Sequence, residues 1–389
     1  MTPLLSLATS SWDKAEIEAI CSVIASDRYT MGDRVKEYEN SFAKYIGSKY
    51  AVMSNSGSSA NLLMIASLFF HSKYNLKPGD EVIVPAVSWG TTYFPLQQYG
   101  LKVKIVDINL ETLNFDLQAL ESAISLSTKA IFAVNILGNP NEFDKIKCLC
   151  DSHSLIMIED NCESMGAEFN GKKAGTFGLM GSFSSFFSHH ISTMEGGITV
   201  TDDEELYHLM LSLRAHGWTR NLPSDNKLCK LSKNSFNESF RFILPGYNLR
   251  PLEMSGAIGL KQLEKLPNLI SERRKNADFF TKAFSVSQKF ILQKEIGKSS
   301  WFGFSLILNT SLQGKRRKLQ SILNNLQVEY RPIVTGNFAK SEVLKYFNYE
   351  IHGSLPNANY LDENGLFIGN HHYDIAPQLS TICEEISGL

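Results

Sequence analysis

Two adjacent histidines, His189 and His190, stand in the stretch Ser182-Phe-Ser-Ser-Phe-Phe-Ser-His-His-Ile-Ser-Thr-Met-Glu-Gly-Gly197, a run dominated by small and hydroxylated residues. A free imidazole titrates near ~6.5, so around neutral pH one form accepts a proton and the other returns it, which is what moving a proton within one substrate requires. A pair of polar loop residues is the plainer reading. A metal site is not expected here, because adjacent histidines point apart and no Cys, Asp or Glu stands at zinc-ligand spacing from them.

Two further stretches place polar groups where a fold can use them. Asn55-Ser56-Gly57-Ser58-Ser59-Ala60-Asn61 precedes the apolar run 62–70, so small residues and unpaired backbone N–H groups fall at a helix N-terminus, a natural cradle for phosphate. A serine N-cap beside a glycine turn has the same local sequence. Asp160 closes the run Leu155-Ile-Met-Ile-Glu-Asp, where a carboxylate at a strand end either holds a protonated ring nitrogen or starts a turn.

These groups need a scaffold. Short β-branched runs at 81–84, 103–106, 130–134, 155–158 and around 183–187 alternate with helical patterns, which predicts a mostly parallel sheet in an α/β fold. Ligands in such sheets sit beyond the carboxyl ends of the strands. From Pro251 an amphipathic pattern (Leu252, Met254, Ala257, Ile258, Leu260, Leu263, Leu266) runs toward Asn276 and predicts a connecting helix. With 389 residues, more than one core usually organises, the boundary is placed near residue 250: a large domain over 1–250 and a smaller α+β domain over 251–389. The polar stretch 221–239 reads as an exposed insertion or lid.

Taken in order, the motif at 55–61, Trp89 after Val84-Pro85, Glu159-Asp160, the stretch 184–197 and Gly246-Tyr-Asn-Leu-Arg250 resemble the sugar aminotransferase family of pyridoxal-phosphate enzymes with the type I fold. The resemblance covers nearly the whole chain. It implies pyridoxal 5′-phosphate as cofactor and a homodimer that builds its active sites from two chains. In that family the lysine that bonds covalently to the cofactor occupies the position of His189, and no lysine lies between Lys173 and Lys227.

The departure matches a subgroup of the family, the nucleotide-sugar 3-dehydratases. It implies pyridoxamine 5′-phosphate as the working form, His189 as acid and base, a GDP-linked 4-keto-6-deoxymannose as substrate, ammonia as co-product and L-glutamate as the recharging donor. By the same matching, Gly57, Ser58 and Ser184 hold the phosphate, Trp89 covers the ring face, Asp160 meets the pyridinium and Glu163 lies on the 3′-hydroxyl side. Asn248 is implied to reach the phosphate across a dimer interface. His216 and Arg220, in Arg214-Ala-His-Gly-Trp-Thr-Arg220, fall where relatives line the sugar pocket, and Arg331, in Tyr330-Arg-Pro-Ile-Val-Thr-Gly336, is a further substrate contact. Without the motif register, Trp89 reads as a buried aromatic and Asn248 as a turn residue. An iron–sulfur variant of this chemistry needs four closely spaced cysteines, whereas Cys229 stands alone. Two other readings stay open: a sugar 4-aminotransferase that recruits a distant lysine, and a nucleotide-sugar-binding relative without turnover.

Composition narrows the setting. The chain is 43% hydrophobic and 20% charged, with 38 basic against 40 acidic residues, so it lacks the positive excess that nucleic-acid backbones demand. Met1-Thr2-Pro3-Leu4-Leu5 has no positive flank, and the run 62–70 falls short of the ~20 residues that span a bilayer, so no membrane partner and no secretion are expected. Six cysteines without a Cys-x-x-Cys pair suit reduced thiols and a cytoplasmic location.

Overall fold

The computed structural model describes residues 3–389. Its strands are β1 (Tyr50–Ser54), β2 (Glu81–Pro85), β3 (Lys102–Val106), β4 (Thr128–Val134), β5 (Ile156–Asp160) and the hairpin β6 (Glu168–Phe169) and β7 (Lys172–Lys173). They continue with β8 (Met180–Ser184), β9 (Gly197–Thr201), β10 (Phe290–Ile291), β11 (Gly303–Leu308), β12 (Tyr330–Arg331), β13 (Tyr349–Ile351) and β14 (Gly365–Gly369). Eight of them form one sheet in the order β1-β9-β8-β5-β4-β2-β3-β13. All neighbours from β8 through β13 run parallel, and β9 alone runs against the strands on both its sides.

Alternation along the strands decides which layer each side chain joins. Val82, Val84, Val103, Ile105, Phe132 and Ile158 pack with Leu63, Met64 and Leu68 of helix Gly57–Phe70 and with Leu206 and Leu209 of helix Glu204–Leu213. Ile83, Val106, Ile131, Ala133 and Met157 face the other way, onto Phe143, Ile146 and Cys150 of helix Phe143–His153. The result is a helix–sheet–helix sandwich whose strands are buried on both faces, which is why they read as continuous apolar runs.

The small sheet is antiparallel, in the order β10-β11-β14-β12. Its core joins Phe304, Leu306 and Ile368 to Leu319, Leu323, Leu379 and Ile382 from two helices. Helix Glu253–Ser285 runs past Asn276, because Ala277, Phe280 and Phe284 carry its apolar stripe into this second core. Its first half packs on helices Lys14–Ala25 and Asp33–Ile46. Two segments cross the line near residue 250. β13 adds to the edge of the large sheet beside β3, where Lys104 and Lys102 pair with Glu81 and Glu350, and Leu5 is buried in the small core and bridges to Val328. Phe236, within the 221–239 stretch, is 84% exposed and belongs to the single helical turn Ser235–Glu238.

Candidate active site

The carboxyl ends of β4 and β5, the N-terminus of helix Gly57–Phe70 and the loop between β8 and β9 surround a cavity of about 310 Å³. Gly57, Ser58, Trp89, Asp160, Glu163, Ser184, His189 and Arg331 all line it. Sequence motifs spread over most of the chain thus converge where the fold class puts a ligand.

One end of the cavity is built for an anion. Ser56 caps the helix by accepting from Ser59 N at 3.1 Å, and Ser58 Oγ lies 3.0 Å from Thr91 Oγ1. A Cβ on Gly57 would stand 2.7 Å from Ser184 Cβ and 2.9 Å from Cys162 Sγ, so only glycine lets these elements close around the helix N-terminus.

Asp160, 5% exposed, lines the same cavity. Its Oδ2 accepts from Asn61 Nδ2 and Thr92 Oγ1, each at 2.8 Å, and its Oδ1 accepts from Cys162 N at 3.1 Å. Asn61 is fixed in turn, accepting from Ser182 Oγ at 2.5 Å. Glu159, the preceding residue, points away from the cavity and accepts from the backbone N–H groups of Gly175, Phe177 and Gly178. Trp89, 57% exposed, stands at the cavity mouth just before helix Gly90–Gln98 rather than in the core.

His189 and Arg331 form the side that faces the small sheet. Burial pushes the His189 imidazole down to about 3, and the guanidiniums of Arg331 and Arg273 add to the effect, so the ring is neutral near pH 7. Its Nδ1 is buried without a hydrogen-bond partner. Glu163 accepts from Leu137 N at 3.1 Å; burial raises its carboxyl and the nearby Arg331 opposes that rise. Arg331 is the only cation among the lining residues, and no lysine lines the cavity among the described residues.

His216, Arg220 and Asn248 lie elsewhere on the chain. His216 packs edge-on to Trp218 at 5.1 Å, Arg220 and Arg250 lie over the Trp218 ring, and Asn248 accepts from Arg250 Nε at 3.0 Å. Arg220 and Asn248 are exposed. None of the three lines the cavity of its own chain. Asn61 and Thr92, which fix Asp160, escaped the sequence reading. A polar residue opening the apolar helix was a usable signal for Asn61, but Thr92 gave none.

An anion cradle, a buried carboxylate and an exposed aromatic lining one cavity fit a flat ring that carries a phosphate and a basic nitrogen, as pyridoxal phosphate does. Together with a large, mostly parallel sheet and a smaller antiparallel one, they make up the pyridoxal-phosphate-dependent aminotransferase fold. The chain belongs to the DegT/DnrJ/EryC1/StrS aminotransferase family, whose model matches residues 10–386.

It is 59% identical over 380 residues to the GDP-4-keto-6-deoxy-D-mannose 3-dehydratase of Escherichia coli O55:H7, covering 97% of this chain and 98% of that one. A solved structure of the E. coli GDP-4-keto-6-deoxy-D-mannose-3-dehydratase with bound hydrated PLP matches with a TM-score of 0.97 at 58% identity, over 99% of this chain and 100% of that one. A GDP-4-keto-6-deoxymannose-3-dehydratase with a trapped PLP-glutamate geminal diamine matches with a TM-score of 0.95 at 58% identity, over 97% of this chain and 99% of that one.

Proposed function

We propose that this protein is a lyase that removes the C3 hydroxyl of GDP-4-keto-6-deoxy-D-mannose, giving GDP-4-keto-3,6-dideoxy-D-mannose. L-Glutamate is the amino donor. Over one cycle, sugar and glutamate become deoxysugar, 2-oxoglutarate and ammonia, so the two electrons that replace C3–OH by C3–H come from glutamate. The observation that carries the reading is His189 in a cavity that no lysine lines. A 4-aminotransferase that recruits a distant lysine would need that amine in the cavity.

When bound, pyridoxamine 5′-phosphate would supply the amine that engages the C4 ketone and a ring that holds the electron pair left by loss of a carbon-bound proton, the pair that expels the C3 hydroxyl. Gly57, Ser58 and Ser184 would hold its phosphate, Asp160 its ring nitrogen, Trp89 its ring and Glu163 its 3′-hydroxyl. His189 moves the protons. Its neutral imidazole accepts one from carbon, and the charged form it becomes is a strong acid toward the oxygen leaving C3. Arg331 contacts the substrate from the small-sheet side.

The working unit is a homodimer. His216, Arg220 and Asn248 sit outside their own chain's cavity, beside the exposed aromatics Phe240 and Phe242, and in a dimer they complete the partner's site. The compartment is the cytoplasm: Cys21 and Cys148 are exposed and unpaired, which suits a reducing setting. No helix of the described residues is long and apolar enough to cross a membrane.

The test is an incubation of the holoenzyme with L-glutamate and GDP-4-keto-6-deoxymannose, following ammonia and product mass. Loss of one oxygen with stoichiometric ammonia is expected. A 4-amino sugar would make the protein a transaminase, and no turnover would leave it a binding protein.

A further inference from the structure

Catalytic histidines are ordinarily oriented by a hydrogen bond to the ring nitrogen that does not react. For His189 no side-chain hydrogen bond is found among the described residues, and its Nδ1 is buried without a partner. Packing must therefore set the orientation of its ring.

Two aromatic rings stand behind the cavity wall, and neither lines the cavity. The Phe302 ring lies 5.2 Å from the His189 imidazole and 5.7 Å from that of His190, centroid to centroid. The Phe367 ring lies 4.7 Å beneath the Arg331 guanidinium, its antiparallel partner across β12 and β14. The two rings stack on each other at 6.0 Å and 28°. Gly303 makes room for the stack, since a Cβ there would stand 2.2 Å from Cζ of Phe367.

The segment that carries Phe302 is tied down on several sides. Phe302 N donates to Leu137 O at 3.1 Å, and Phe302 O accepts from Arg273 Nη1 at 3.0 Å. His190 Nε2 lies 3.1 Å from Ser300 O. Leu137, whose N–H donates to Glu163, has φ 50°, and Trp301 has φ 48°. Non-glycine residues hold left-handed backbone only where their surroundings over-determine it, and such residues cluster at working sites.

We propose that Phe302 and Phe367 are positioning residues for the dehydration: their stack fixes the His189 imidazole and the Arg331 guanidinium relative to each other on one wall of the cavity. Aromatic pairs have preferred offsets, and a cation over a ring is held at a preferred distance, so the stack transmits geometry as well as volume. The inference rests on the reading of His189 as the proton carrier. Arg331 faces that imidazole from β12 and Arg273 from helix Glu253–Ser285; His190 flanks it on its own loop, and Glu163 lines the same cavity.

The test compares Phe302→Leu, Phe367→Leu and the double variant as holoenzymes. For Phe302→Leu, kcat should fall about tenfold or more, as for a reacting group that has lost its alignment, while KM for the GDP-sugar stays within about twofold. The acid limb of the kcat profile should move to higher pH, because water admitted beside the imidazole relieves its burial. The double variant should lose less than the product of the two single losses, since one stack is broken in each case. Wild-type kcat and an unmoved acid limb in Phe302→Leu, or losses that multiply, would overturn the platform. If Phe302→Leu does not fold, Phe302→Met carries the same readouts with its volume better kept. Unchanged turnover in His189→Asn would sink the reading of the histidine itself; an inactive His189→Asn beside a normal Phe302→Leu would sink only the platform.

Discussion

Thr92 Oγ1 donates a 2.8 Å hydrogen bond to Oδ2 of Asp160, the oxygen that also accepts from Asn61 Nδ2. The carboxylate that should meet the cofactor's ring nitrogen is thus aimed by a helix outside its own strand. Thr92→Val should lower kcat about tenfold, the size of one hydrogen bond to a charged group, and Asp160→Asn about a hundredfold or more. Steady-state kinetics beside cofactor titration by fluorescence checks the ranking; a Thr92→Val effect as large as that of Asp160→Asn would contradict it.

Gly57→Ala introduces a Cβ 2.7 Å from Ser184 Cβ. Relief of that contact opens the phosphate cradle, at a cost of about 1–3 kcal/mol shared between folding and cofactor binding. Cofactor affinity should fall at least about tenfold while secondary structure by circular dichroism is retained.

The sheet was legible because its strands are buried on both faces and read as unbroken apolar runs. The run at 155–158 is observed as β5, and the expected strand around 183–187 ends at Ser184, where Phe186 and Phe187 turn out into an exposed loop. β13 was not legible: Tyr-Glu-Ile is three residues long, and it meets β3, with Glu350 beside Lys102 and Lys104, only across a long stretch of chain. At the site, His189, Asp160 and Gly57 were found through motif register. Thr92, Phe302 and Phe367 were not, since their roles arise from contacts between segments far apart in the chain.

Buried neutral histidines make stability depend on pH. Burial and Arg273 lower His371 to about 4, and burial with Arg331 and Arg273 lowers His189 to about 3. The unfolded chain binds these protons near ~6.5, so the stability held above that pH drains away as pH falls from about 6.5 toward 4 and below. Melting temperature should drop steeply across that window, and His371→Asn should flatten the slope. An unchanged slope in that variant would refute the assignment.

If Asn248 serves the partner's cavity, two inactive variants should complement each other. His189→Asn mixed with Asn248→Asp, unfolded and refolded together, should regain roughly a quarter of wild-type sites: half the dimers are mixed, and each mixed dimer has one intact site. Activity no higher than the sum of the separate variants would place Asn248 outside the partner's site.

If the imidazole of His189 does the proton work, with no lysine in the cavity to do it, its loss should stop the chemistry and spare cofactor binding. The most direct test compares wild type with His189→Asn, both loaded with pyridoxamine 5′-phosphate, for ammonia release and product mass from GDP-4-keto-6-deoxymannose. Wild type should give a sugar lighter by one oxygen with one ammonia per turnover, and His189→Asn should bind cofactor normally and yield neither. A 4-amino sugar from wild type, or dehydration at an unchanged rate by His189→Asn, would contradict that role of the imidazole.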